Sequence, residues 1–557
     1  MPTGKVDFGV LYGQKTTEDA LLIYSSYEDA KASPQTGDFI VLTPKDEGST
    51  KYIARVEAEI YDEDPIFKSQ DKTLIAVHYA RIAERELSER DKQKMFSYTY
   101  KVRILGTFSD NGTSISFTTA VRKLPIVSYI ARHLNKREIG SILNMSNIDG
   151  APIGCLSVGD IIFEEKGQIL FKIDRLRNKR TMVFAQSGFG KTNLVKVLLY
   201  YMIADTSYGK LIFDLNGEYF LRGTSTYGLG DIEDQNIRSN LIVYTDKKLP
   251  KEYQDSRRFT HGGKVLINTH DNLTVGDILN FGAGFSEVMK SFLLYLDEEG
   301  VGDFIKNIDK YVANPLNLHK DFSDFFGEEK RNKDGTPKED ASARKTIMAI
   351  RKRIRHLIDE GKGIHSQSSN LVERIFEYLK QGKTVIIDLS LKDNMDAGII
   401  STILVRKLFD NNKEKFTSDQ PGDVIKTVMF VEEAQNVLSE EFVKSNANPF
   451  VRVAKEGRKF GLGLAAITQR PSAISEEIRT QAENFFAFHM GNSDDIKALV
   501  KSNINFEGVI SNFIQRETIP GNLYMVSSDQ AFALPVRVTE FEKLVKDKVY
   551  KESKFPE

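Results

Sequence analysis

Thr181-Met-Val-Phe-Ala-Gln-Ser-Gly-Phe-Gly-Lys-Thr192 decides how the rest of the chain is read. Four of its first five residues are apolar, as in a buried strand. The chain then turns through Gln186–Gly190 and enters a helical pattern at Lys191, with Leu194, Val197, Leu198, Tyr201 and Met202 on its apolar positions. Strand, glycine turn, Lys-Thr and helix follow in the order that a phosphate-cradling loop requires. Gly188 and Gly190 let successive backbone N–H groups turn toward an anion, with a helix N-terminus behind them. Ser187, Gly188, Phe189, Gly190, Lys191, Thr192 and Asn193 are therefore the expected nucleotide-binding residues. Lys191 reaches the β- and γ-phosphates of ATP, and the Thr192 hydroxyl helps hold Mg²⁺. The pattern G-x-x-x-x-G-K-[ST] is met except at its first glycine, where Ala185 stands; alanine is tolerable there if its φ is negative.

Working outward, 557 residues are too many for one core and call for several domains. The 77 basic residues balance 78 acidic ones, which excludes a globally basic nucleic-acid coat but leaves room for a local basic channel. The longest apolar run, Val195–Ala204, is half of the roughly 20 residues needed to span a bilayer and contains Lys196. With no signal-peptide pattern at Met-Pro-Thr-Gly-Lys-Val-Asp, the expected location is the cytoplasm, with no membrane segment. Cys155 is the only cysteine, so an internal disulfide or a cysteine zinc site is excluded.

Upstream, residues 1–120 read as a small β-barrel with strands at Val6–Tyr12, Ala20–Tyr24, Asp38–Leu42, Tyr52–Ile60, Tyr98–Phe108 and Ser114–Ala120. Leu74–Phe96 reads as a charged helix interrupting it. Residues 121–180 read as a connector ending in Arg175-Leu-Arg-Asn-Lys-Arg180, a basic cluster that fits either a solvated loop or a phosphate contact.

Downstream, Lys210-Leu-Ile-Phe-Asp214 is a second buried-type strand, which the pattern of parallel α/β sheets puts beside the nucleotide at its Asp214 end. A turn-forming role is the plainer alternative for this aspartate. Residues 272–380 are helical and read as an insertion, with a polar break at Gly327–Ser342. One of its helices, Ala343–Glu360, is rich in arginine and lysine, which suits either nucleic acid or water. Arg257-Arg258 is a candidate pore element. The sheet resumes at Thr384-Val-Ile-Ile-Asp-Leu389.

Thr427-Val-Met-Phe-Val-Glu-Glu-Ala-Gln435 then ends an apolar strand in paired carboxylates. ATP hydrolysis needs a metal anchor and an oriented water. Glu432 takes the first task, through water because its side chain is longer than the usual aspartate, and Glu433 is the base. Asn448-Pro449 opens a helix that stops at Gly461 and carries Lys455 and Arg458 on its polar side. The following strand, Leu462–Thr468, ends at Gln469, placed to sense the γ-phosphate or position water; capping the strand end is the plainer alternative.

Taken together, these motifs resemble the HerA family of hexameric DNA translocases, a branch of the HerA–FtsK ATPases. The ordered matches are Ala185–Thr192, Asp214-Leu-Asn-Gly-Glu-Tyr219, Val431-Glu-Glu-Ala434, Lys455-Glu-Gly-Arg-Lys-Phe-Gly461 and Thr468-Gln-Arg-Pro-Ser472. Ala185 and Glu432 depart from the commonest pattern. The resemblance implies an α/β chain with a RecA-like P-loop ATPase core at 181–515, built on a parallel sheet and interrupted by the helical insertion. An N-terminal β-barrel precedes the core, and strands within 516–557 brace neighbouring subunits. It also implies a homo-hexamer acting on duplex DNA, with Arg458 as an arginine finger reaching a neighbour's γ-phosphate. Partners in the family include a nuclease in DNA end processing, and nuclease or sirtuin-like effectors in anti-phage defence. Two other readings share the same site: a conjugation or secretion ATPase, and a nucleotide-dependent scaffold that activates an effector.

Overall fold

The computed structural model describes residues 7–15, 20–26, 34–44, 50–63, 96–112, 115–144, 149–158, 161–162, 167–223, 226–254, 259–281, 284–328, 330–336, 341–417, 424–445, 448–528 and 532–546. Three sequence readings lie wholly or largely outside them: the charged helix at 74–96, Arg257-Arg258, and part of the polar break at 327–342. The chain forms two compact units, each drawn from separate stretches. One comprises Met1–Lys172, Phe184–Leu194 and Asn484–Thr539; the other comprises Ile173–Val183, Val195–Glu483 and Glu540–Glu557.

In the first unit, six antiparallel strands close a barrel. Around it run Ala20–Ser26, Asp7–Lys15, Ile130–His133, Phe39–Thr43, Lys51–Glu63 and Phe96–Asp110, the last pairing back to the first. Ile115–Thr118 extends the sheet from Phe96–Asp110. Phe8, Ile23, Ile40, Tyr52, Val56, Tyr100 and Val102 fill the core. Register shifts at Ile53/Ala54 and Val56/Ala58 supply the bends that closure demands.

The closing strand, Ile130–His133, lies in the stretch read as a connector. Its four residues include Arg132 and His133, so it has no apolar alternation to betray it. Arg132 instead forms a two-pronged ion pair with Glu138, at 2.8 and 2.6 Å. Glu138 also completes a capping box with Asn135 at the start of helix Lys136–Leu143.

The same unit holds a second, antiparallel sheet in the order Gln168–Phe171, Ala151–Val158, Leu534–Val538, Asn522–Val526, Asn484–Ala487. Asn522–Val526 and Leu534–Val538, which fall within the segment 516–557 where strands are expected, lie in the middle of this sheet.

The second unit is built on a parallel sheet. Its neighbours run Leu462–Thr468, Thr427–Val431, Gly209–Asp214, Thr384–Asp388, Leu241–Tyr244 and Thr260–Gly263. Arg180–Phe184 adjoins Leu462–Thr468. Every residue of the first four strands is buried, the mark of a sheet covered on both faces.

The insertion is helical as expected, from Val275–Phe281 through Glu287–Glu299, Val301–Ala313 and Ala341–Ile358 to Leu371–Lys380. Phe292 anchors it, with the rings of Phe304, Phe322, Phe325 and Phe326 centred 5.0–5.6 Å away. On helix Ala341–Ile358, Ile347, Ile350, Ile354 and Leu357 face the core. Its arginines already have protein partners: Arg351 pairs with Asp309 and Asp359, Arg355 with Asp359, and Arg353 donates to the Gly284 carbonyl. No helix among the described residues is long and apolar enough to cross a membrane.

Candidate active site

The phosphate-loop segment belongs to the first unit. Gly188 has φ +85° and Gly190 φ +104°, backbone that a side chain at either position would strain. Ala185 is fully buried and keeps a negative φ, so the missing first glycine costs the loop nothing in backbone conformation.

Two partners that the motif does not name brace the loop. The Gln186 N–H donates to the His489 carbonyl at 3.0 Å, and the Phe189 ring lies 4.4 Å from the His489 ring. The Gly521 N–H donates to the Phe189 carbonyl, also at 3.0 Å. Helix Lys191–Ile203 begins at once, and Leu194 closes its first turn onto the Gly190 carbonyl. Ser187 and Gly188 are exposed, Phe189, Gly190, Thr192 and Asn193 are half-buried, and Lys191 is buried. The Asn193 amide donates to the Thr539 carbonyl, so at least one of its hydrogens serves the fold.

The carboxylates belong to the second unit, at the carboxyl ends of its central strands. Asp214 is fully buried and caps its own turn. Its Oδ1 accepts from the N–H groups of Gly217 and Glu218, and its Oδ2 from that of Tyr219. Burial, together with the nearby Asp388 carboxylate, outweighs these donors and pushes its pKa up to about 6. The plainer reading of Asp214, a turn former, describes these contacts.

The turn that Asp214 shapes delivers two donors to Glu432. Tyr219 donates its hydroxyl to Oε1 at 2.9 Å, and Asn216 its amide to Oε2 at 3.2 Å. Glu432 is 2% exposed, so these bonds keep a buried carboxylate solvated by protein.

Glu433 differs in every respect. It is half-buried, and its backbone has φ +45°, a left-handed conformation shared among described non-glycine residues only with Ser128 and Asn178. Such backbone costs on the order of 1 kcal/mol or more and persists where the surroundings impose it. Its carboxylate is gripped by two amides, Gln435 Nε2 to Oε2 at 2.7 Å and Gln469 Nε2 to Oε1 at 3.1 Å. Behind Gln435 stands Thr468, whose hydroxyl donates to Gln435 Oε1 at 2.6 Å while accepting from the Arg470 N–H. The threonine thereby fixes which way the Gln435 amide faces.

Helix Pro449–Glu456 starts as the sequence indicates, with Asn448 capping Phe450, and runs into a tight turn, Gly457–Phe460, ended by Gly461 at φ +73°. Lys455 pairs with Glu477 at 3.0 Å. Arg458, in the tight turn, is exposed and makes no ion pair among the described residues. Glu432, Glu433 and Gln469 are thus brought together, and Asp214 joins them through its turn. Tyr219, Asn216, Gln435 and Thr468 were missed. All four stand inside the quoted stretches, yet their type and spacing carry no catalytic signal.

Comparison with known proteins bears on this arrangement. Residues 156–408 match the family model described as "Helicase HerA, central domain", a stretch that holds the phosphate loop, the Asp214 strand and the insertion and stops before Glu432. A DNA double-strand break repair helicase HerA of Sulfurisphaera tokodaii is 24% identical over 392 residues, 70% of each chain. A probable helicase of Methanocaldococcus jannaschii is 21% identical over 82% of this chain and 77% of its own. Among solved structures, the bacterial conjugative coupling protein TrwB aligns with a TM-score of 0.41 and 12% identity, over 72% of this chain and 93% of that one.

Proposed function

We propose that this chain, which matches the central domain of the HerA helicases over residues 156–408 and is an ATPase of that kind, is a ring-forming motor that moves duplex DNA. In this reading six copies assemble, and each ATP site is completed by a neighbouring subunit. Lys191 neutralises charge on the β- and γ-phosphates, and the backbone of Ser187–Gly190 holds them. Arg458 of the adjoining copy reaches the γ-phosphate and lowers the barrier to its transfer.

The residues present suit Mg²⁺. The Glu432 oxygens are already oriented by Tyr219 and Asn216, which favours an outer role through water, with Thr192 as the direct protein ligand. Mg²⁺ commonly keeps several waters and relies on substrate phosphates rather than a protein cage. When bound, it neutralises charge developing between the β- and γ-phosphates.

The single observation that carries the reading is Glu433. A strained backbone at the end of a buried strand holds up a carboxylate whose two oxygens are each aimed by an amide. That suits a base that must meet one attacking water in one orientation, and it has little purpose in a purely structural residue. A nuclease or sirtuin-like effector is the partner class that the motifs imply, with DNA end processing or anti-phage defence as the setting.

Imaging the purified protein by electron microscopy with ATP and duplex DNA tests the assembly, and displacement of a protein roadblock from that DNA tests the motion. Six-membered rings threaded by DNA, with ATP-dependent displacement, are expected. Monomers, or rings that hydrolyse ATP without moving the roadblock, overturn the motor reading.

A further inference from the structure

Arg537 stands near the end of strand Leu534–Val538, opposite Asn522 on one side and Cys155 on the other. Alternation along the strand buries Val536 and Val538 and leaves Arg537 half-buried on the other face of the sheet. The strand has no assigned part in ATP binding, yet its end is tied to the phosphate loop. Every residue involved belongs to the first unit.

The Asn193 amide donates at 2.9 Å to the carbonyl of Thr539, two residues beyond Arg537. Gly521 links loop and strand. Its N–H donates to the Phe189 carbonyl at 3.0 Å, and its carbonyl accepts from the Val538 N–H at 2.9 Å. A methyl group on Gly190 would come within 3.4 Å of the Gly521 Cα, and one on Gly521 within 3.2 Å of Arg537 Nη1. The guanidinium is therefore separated from the loop by one glycine. With φ +94° at that glycine, a larger residue would be strained as well as crowded.

The guanidinium has donors to spare. Its Nη1 donates to the Pro520 carbonyl and lies 3.5 Å from Asn522 Oδ1. Nε and Nη2 find no acceptor among the described residues, and neither is sealed from solvent. No carboxylate among those residues pairs with Arg537. Glu517, which shapes the adjoining turn, is taken up by the N–H groups of Thr518 and Ile519 at 2.9 and 2.8 Å and by the Asn522 amide at 3.1 Å. A half-buried cation without a counter-charge, set against a loop built to hold anions, is completed by an anion.

We propose that Arg537 binds the α-phosphate of the nucleotide held by the phosphate loop of its own subunit. Lys191 and Thr192 are assigned to the β- and γ-phosphates and their metal. The strand end instead meets the loop at Asn193, the residue after them, on the side where the backbone receives the α-phosphate. ATP and ADP both carry that phosphate, so the contact sets affinity for the two alike. Arg458, assigned to a neighbour's γ-phosphate, distinguishes them. The inference rests on the reading of Gly188–Thr192 as an ATP loop, and needs neither ring assembly nor DNA.

Calorimetric titration of a non-hydrolysable ATP analogue and of ADP, each with Mg²⁺, into the full chain tests it. Arg537→Gln should weaken both by the same factor, about ten- to a hundredfold, because each loses a hydrogen bond to a charged group. Arg537→Lys should recover part of the affinity, since it restores the charge without the planar fork. A lysine variant as weak as the glutamine one would make Arg537 a brace for the Pro520 turn and overturn the contact. Unchanged affinity for both nucleotides overturns it too, as does weakening of the ATP analogue alone, which would put the arginine at the γ-phosphate. Lys191→Ala separates these results from failure of the loop. Parental binding that Lys191→Ala weakens upholds the loop whatever Arg537→Gln does. No binding by the parent, or binding that Lys191→Ala leaves untouched, overturns the loop and this inference with it.

Discussion

Gln469 donates its side-chain amide to Glu433 Oε1 at 3.1 Å, joining the tip of strand Leu462–Thr468 to a residue whose own backbone is left-handed. The bond crosses between neighbouring parallel strands, so the orientation of Glu433 is set by the sheet rather than by its own rotamer. From this follows a prediction for the base. Glu433→Gln keeps the size of the side chain and removes its basicity. ATP affinity should stay within a few-fold of the parent while kcat falls by about 10²–10⁴-fold. Filter binding and steady-state hydrolysis read the two quantities separately. Parental turnover in the variant would remove Glu433 from the mechanism.

The amides that grip Glu433 make a separate prediction. A hydrogen bond to a charged group contributes about 1.5–3 kcal/mol, or roughly ten- to a hundredfold in rate if it is needed only to aim the base. Gln435→Ala and Gln469→Ala should each lower kcat by that range and leave KM for ATP unchanged. A change in KM with kcat preserved would mark them as ground-state binding groups instead.

The phosphate loop, the two carboxylates and the tip glutamine were legible in the sequence because each is a local pattern: an apolar run followed by a chemically loaded end. What escaped was set by distant chain. Strand Ile130–His133 is four residues long and half polar, and it exists because Asp7–Lys15 and Phe39–Thr43 offer it edges. Leu241–Tyr244 and the glycine-ended Thr260–Gly263 are too short to show a period, and they complete a sheet already templated by Thr384–Asp388. The donor that orients Glu432 escaped too, because nothing nearby in sequence reveals that Tyr219, 213 residues away, donates to it.

That contact carries a stability prediction. Tyr219→Phe deletes one donor from a buried carboxylate and should cost about 1–3 kcal/mol, since the acceptor stays buried without replacement. A lower denaturant midpoint than the parent checks it. An unchanged midpoint would mean that water reaches Glu432 despite its burial.

Asp214 should make stability depend on pH in a narrow window. Its native pKa, about 6, lies above the ordinary aspartate value, so the folded state holds the proton longer than the unfolded chain does. Stability attributable to this group is therefore greatest below about pH 4, falls as pH climbs toward 6, and is flat above. The two units of difference amount to about 3 kcal/mol. Comparing denaturant midpoints of the parent and Asp214→Asn at pH 4, 5, 6 and 7 isolates the effect, because the variant cannot titrate there. The parent should lose ground to the variant between pH 4 and 6. A difference constant across that range would show that the turn's three N–H donors hold the carboxylate ionised throughout.

Arg458 supplies the test of shared sites. It sits in the tight turn Gly457–Phe460, exposed and without an ion pair among the described residues, so Arg458→Ala should shift stability by no more than about 0.5 kcal/mol. A finger serving a neighbour's site is worth about 10³-fold or more in turnover, and its loss should leave nucleotide affinity in place. Lys191→Ala disables the complementary half. Each variant alone should be nearly inactive, because every interface lacks one element. In an equal mixture with random order around a ring, an interface works when its loop comes from an Arg458→Ala copy and its finger from a Lys191→Ala copy. That is about a quarter of interfaces in a head-to-tail ring. ATPase activity of the reassembled mixture should therefore rise well above the average of the two variants assayed separately. Assembly into mixed rings with no such rise would mean that Arg458 acts within its own subunit or not at all.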